Sequence, residues 1–164
     1  MDKKEEKNEI KFETEKQAYI PNSDMGQNAE TFRYGKYITH SVYGTTAQTA
    51  TNYGIIFIAR HPIEVMRITE SHAVAGSDAG AVTLDVLKAG SGVVIASGIT
   101  LLSSTFNLKS TANTPVVKDG MDLSNDRVLI EGDRIGLVVS GTLTALSDVN
   151  ITIYYKEINQ GYIR

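Results

Sequence analysis

Val128-Leu-Ile-Glu-Gly-Asp-Arg-Ile-Gly-Leu-Val-Val-Ser140, continued by Gly-Thr-Leu-Thr-Ala-Leu-Ser147 and Asp148-Val-Asn-Ile-Thr-Ile-Tyr-Tyr155, decides the reading of this chain. Two apolar runs flank a Glu-Gly-Asp turn, and the third run alternates apolar with polar residues. That is the pattern of strands that bury one face of an antiparallel sheet. Val149, Ile151, Ile153 and Tyr155 fall on one face, and Asn150, Thr152 and Lys156 on the other. Tyr154 breaks the polar side. The expectation is a strand ladder at the end of the chain, turned at Glu131-Gly-Asp133, where glycine takes the positive dihedrals a hairpin needs.

Working outward, the same texture reaches back to about Phe32. Candidate strands are 36–43, 53–59, 63–71, 81–87, 92–97, 104–109, 115–118, 127–130, 134–140 and 149–156. Val82, Leu84 and Val86 alternate with Thr83 and Asp85, and Phe106 and Leu108 alternate with Thr105, Asn107 and Lys109. Short strands at this spacing predict an all-β domain over 32–164, an antiparallel sandwich or jelly roll of about 8–10 strands. Longer links, such as 43–53 and 74–80, suit crossings from one sheet to the other. Residues 54–59, Gly-Ile-Ile-Phe-Ile-Ala, are apolar throughout and need cover on both sides, either inside a sandwich or against a neighbouring subunit. Ile56 and Ile58 are therefore candidate subunit-interface residues. Out-of-pattern Tyr154 is a third.

Residues 1–31 differ sharply. The first sixteen hold six acidic and five basic side chains, with Ile10 and Phe12 as the sizeable interior apolar groups. Such a segment buries too little surface to offset its ordering entropy and reads as a flexible charged arm. It is either a disordered leader or a docking arm that orders on a partner through Ile10, Phe12, Tyr19 and Ile20.

The composition narrows the chemistry. At 164 residues the chain can bury a core without metal or disulfide staples, and it has no cysteine to supply a thiolate. A net charge of −3 gives no general attraction to nucleic acid phosphate. No run of about 18 apolar residues predicts a membrane span, and the charged N-terminus lacks the apolar stretch of a secretory signal, so a soluble protein is expected. His40, His61 and His72 are widely spaced and match no metal-ligand signature. Glu131 and Asp133 read as solvated turn residues, and Ser97-Gly98 and Ser140-Gly141 lack a nucleophile elbow. No enzyme, cofactor or metal is expected. Eight tyrosines without tryptophan leave open a half-wet aromatic surface that could stack on a glycan or a partner.

Three segments carry a resemblance: Val65-Met-Arg-Ile-Thr-Glu-Ser71, Val82-Thr-Leu-Asp-Val-Leu-Lys-Ala-Gly90 and the opening stretch from Glu131 to Tyr155. Together they resemble small β-sandwich accessory proteins of bacteriophage virions, of the capsid-decoration or head-fibre type. The likeness runs over about 63–156. It implies a structural protein without catalytic residues, located in the virion and assembled in the host cytoplasm. The expected partners are two further copies of the chain in a homotrimer, and the major capsid protein or another virion protein reached through the arm. A host surface glycan is a further possible contact. The rival readings are a carbohydrate- or receptor-binding adhesin module and a small cupin-type jelly-roll enzyme.

Overall fold

The computed structural model describes residues 35–42 and 54–158. The expected anchoring residues Ile10, Phe12, Tyr19 and Ile20 lie outside them. The strands are β1 (Gly35–Val42), β2 (Ile55–Ile58), β3 (Ile63–Ser71), β4 (Thr83–Ala89), β5 (Ile99–Thr100), β6 (Phe106–Asn107), β7 (Val116–Asp119), β8 (Val128–Leu129), β9 (Arg134–Ser140) and β10 (Val149–Glu157). Two 3-10 turns, Ile95–Ser97 and Gly120–Asp122, interrupt them.

The fold is an all-β sandwich of two five-stranded antiparallel sheets. One has the order β1-β10-β3-β7, with β8 also on β3; the other has the order β2-β9-β4-β5, with β6 also on β4. Read as pairs, the partners nest: β1 with β10, β2 with β9, β3 with β7 and β8, β4 with β5 and β6. This is one long antiparallel ribbon rolled up so that successive strands cross between the sheets, except along β4–β6 and β7–β8, the jelly-roll order.

Alternation along each strand supplies the core. Ile63, Val65 and Ile68 of β3 and Val149, Ile151, Ile153 and Tyr155 of β10 face Leu84 and Val86 of β4 and Ile135, Leu137 and Val139 of β9. Phe106, Leu108, Leu129 and Leu143 fill the ends. Each such side chain contributes about 1.5–3 kcal/mol by leaving water, so the apolar faces decide the register.

Four expectations are corrected. The runs at 128–155 are not a ladder: β8 belongs to one sheet, β9 to the other, and β10 returns to the first. The Glu131-Gly-Asp133 turn, with Gly132 at φ 88°, carries the chain between sheets rather than closing a hairpin. The predicted strand 92–97 is instead a crossing that passes through the first 3-10 turn over the outer face of the second sheet, with β5 forming beyond it. There Ile95 sits on Gly136, and Gly98 lies against the carbonyl of Lys88 with no room for a Cβ. Finally, β2 is an edge strand rather than an enclosed one. A bulge between Ile55 and Phe57 turns both Ile56 and Phe57 toward the core and leaves Ile55 and Ile58 outside.

Candidate functional site

The outer faces of the two sheets differ in chemistry, and the cross-strand registers show how. On the β1-β10-β3 sheet, Ser41, Asn150 and Ser71 form one row, and Thr39, Thr152 and Thr69 the next. Asn150 Nδ2 donates to Ser41 Oγ at 2.7 Å, and the hydroxyls of Thr39 and Thr152 lie 3.3 Å apart. The third row is Tyr37, Tyr154, Arg67 and Asp119, with Arg67 paired to Asp119 at 3.1 Å. This face is small, polar and hydrogen-bonded.

Tyr154 keeps the regular register of that row, and a bulge follows it: Tyr154 pairs with Arg67 and Tyr155 with Val65, so Met66 is the extra residue. Both tyrosines are buried, on the opposite faces that successive strand residues take. Tyr155 reaches the core beside Phe57, ring centroids 5.7 Å apart, whereas Tyr154 lies against Tyr37 and over Gly35. The break in alternation is thus accounted for inside the chain. Tyr154 is 4 % exposed, and the aromatic presented outward is Tyr37, at 67 %.

The β2 end of the opposite outer face is apolar. Ile55, Gly136 and Leu87 form one row, and Ile58, Arg134 and Ala89 the next. The 90–98 crossing covers Leu87 and Ala89, tied down by the Arg134 guanidinium, which donates to the carbonyls of Gly90, at 2.7 Å, and Val93. Ile55 and Ile58 remain 48 % and 55 % exposed, and Val93 and Val94 on the crossing are exposed too. Ile55 to Ile58 and Arg60 line a shallow groove along the β2 edge. Of the two β2 candidates, Ile58 stands outward, while Ile56 is half-buried against the core. Sequence reasoning missed Val93 and Val94 because it assigned them to a strand.

Charged groups mark the rims. Glu157 pairs with Lys36 and, at 2.8 Å, with His61; Lys36 chiefly, and His61 with it, holds the Glu157 carboxyl below its ordinary range against slight burial. Glu64 is desolvated, but Lys156 at 2.7 Å and Arg127 at 3.0 Å outweigh that burial and keep its carboxyl low. Asp133 accepts from the Ile130 amide at 3.0 Å, a turn-stabilising bond. Glu70 and His72 form a fully buried pair at 2.8 Å. Among the described residues no three His, Asp or Glu side chains gather as a metal set, and no helix is long and apolar enough to cross a membrane.

No protein-family model and no curated protein sequence matches the chain. Among solved structures, the chain is similar to one in the capsid asymmetric unit of cyanophage Pam1. The TM-score is 0.52 at 14 % identity, over 76 % of this chain and 85 % of that one. A second match, in the structure of infectious bursal disease virus strain Gx, covers 77 % of this chain and 37 % of that one, at a TM-score of 0.27 and 13 % identity. The first establishes a shared β fold with that chain. The second is too loose to add to it.

Proposed function

We propose that the chain is a structural protein of a bacteriophage virion that decorates the capsid or forms a head fibre, self-assembling as a homotrimer and anchored by residues 1–31. The observation that carries this reading is the nested jelly-roll order, in a fold similar over most of both chains to one in the cyanophage Pam1 capsid asymmetric unit. Jelly rolls also serve lectins and cupins. Here the face with the most exposed apolar side chains is an edge strand and its neighbouring crossing, which suits a contact between copies more than a sugar or a metal.

Closed cyclic assembly is the usual way a self-complementary module buries such a surface. Ile55, Ile58, Val93 and Val94 would lie at the contact, where burial at about 25 cal/mol per Å² outweighs the rim charges. The threonine-serine face with Tyr37 would then point to solvent or to a host surface. Light scattering should report a trimer for both the full chain and a variant lacking residues 1–25. Undecorated particles should retain the full chain and release the shortened one. A stable monomer would end the assembly reading, and equal retention of both forms would end the anchoring one.

A further inference from the structure

At the end of β3, Glu70 and His72 are 0 % and 2 % exposed. His72 Nδ1 stands 2.8 Å from Glu70 Oε1, and Nε2 stands 3.1 Å from the backbone carbonyl of Ser110. A carbonyl only accepts, so Nε2 carries a hydrogen. Nδ1 then either donates to a carboxylate or accepts from a carboxylic acid. The two arrangements contain the same protons, and in both the pair is neutral. Removing one proton leaves a buried carboxylate facing an imidazole lone pair, with net charge and no water to receive it.

Among the described residues, no lysine or arginine pairs with either side chain. In the inner-face row through Glu70, β10 contributes Ile151, β7 contributes Val116 and β1 contributes half-buried His40. Lys109, next to Ser110, is spent on the carbonyls of Asp78 and Gly80. Asp148 lines the same cleft as His72 and would add negative charge. Burial pushes the Glu70 carboxyl above its ordinary range, against the opposing pull of His72, and Glu70 Oε2 has no hydrogen-bond partner among the described residues. The pair also fixes a loop: the Asn113 amide donates to the His72 carbonyl at 2.7 Å and Asn113 Nδ2 to Ala73 at 3.3 Å. Residues 110–115 run from there into β7, closing a cleft of about 300 Å³ lined by Ser71, His72, Asn113 and Pro115.

We propose that Glu70 and His72 form a proton-held latch: while the pair keeps its proton, residues 110–115 stay closed over the end of β3, and losing it frees the loop and loosens β7. With the loop open, both side chains are solvated, and a solvated carboxyl and a solvated imidazole ordinarily titrate at about 4.3 and about 6.5. Between those values the open and closed forms each hold one proton, and closure is insensitive to pH. Above about pH 6.5 the open form has lost its proton and the closed form has not, so opening rises about tenfold per pH unit.

Hydrogen exchange of the Asn113 amide, followed in the full chain from pH 5 to 9 and corrected for intrinsic chemistry, tests this against E70Q. In that variant the introduced side-chain amide donates to Nδ1 and leaves a neutral closed pair with no proton to lose. The wild-type amide should lose about tenfold protection per unit above about pH 6.5. Above that pH the E70Q amide should stay flat, as should the core amide of Leu101, bonded to Val86. A flat wild-type profile would overturn the latch. So would the same slope in E70Q, or a slope shared by Leu101.

Discussion

Tyr37 and Tyr154 pack across the β1–β10 pair with ring centroids 4.9 Å apart and a tilt of 41°, and the missing side chain of Gly35 makes the space. One ring is wet and the other dry, although their Cα atoms are direct partners in the ladder.

That asymmetry sets the cost of truncation. Y154A should destabilise the protein by about 3–5 kcal/mol, as removal of a buried aromatic does, whereas Y37A should cost about 0.5–1.5 kcal/mol. Urea unfolding measures both, and equal losses would contradict the burial assigned to the pair.

Ile58 and Ile68 separate assembly from folding. I58D places charge on the exposed β2 edge and should leave a folded monomer. I68D buries that charge in the core and should abolish cooperative unfolding. Light scattering together with near-ultraviolet dichroism distinguishes the two, and a trimeric I58D would remove β2 from the subunit contact.

Acid sensitivity should trace in part to Glu64. Its folded carboxyl lies below the ordinary value of 4.5, because Lys156 and Arg127 outweigh burial. Its contribution is therefore present above the unfolded value and is lost as pH falls through the folded one. The stability of E64Q, measured by denaturant between pH 6 and pH 3, should decline less steeply than that of the wild type.

Gly136 carries the crossing segment. A Cβ there would meet Ile95 at 2.5 Å and the Gly54 carbonyl at 2.9 Å. G136A should cost about 1–3 kcal/mol, and I95A in the same chain should recover part of that loss. Additive losses in a double-mutant cycle would place the strain elsewhere.

The sequence made the strand faces legible and left their pairing hidden. The alternation at Val82 to Val86, at Phe106 and Leu108 and along β10 put the right side chains in the core, because a period of two reports burial directly. It says nothing about which strand lies alongside. Glu131-Gly-Asp133 carries hairpin chemistry yet links two sheets, since a glycine at positive φ serves either turn. The apolar run at 54–59 pointed to a covered strand, but the bulge at Ile56 allows two successive residues to face inward on an edge. Tyr154 was out of pattern because a large ring stands on the polar face, where Tyr37 and the missing side chain of Gly35 bury it. The Glu70–His72 pair had no sequence signal beyond an acid two residues from a histidine. Its significance comes from burial and from Ser110, distant in the chain.

The nested pairing also orders events in time. β10, the last described strand to leave a ribosome, lies between β1 and β3 and supplies the central span of its sheet. A growing chain can bring β4, β5 and β6 together early. Until residues 149–157 are synthesised, however, β1 has no partner among the described strands. Such long-range closure makes folding slow and all-or-none, so incomplete chains lack the finished surface that copies could recognise.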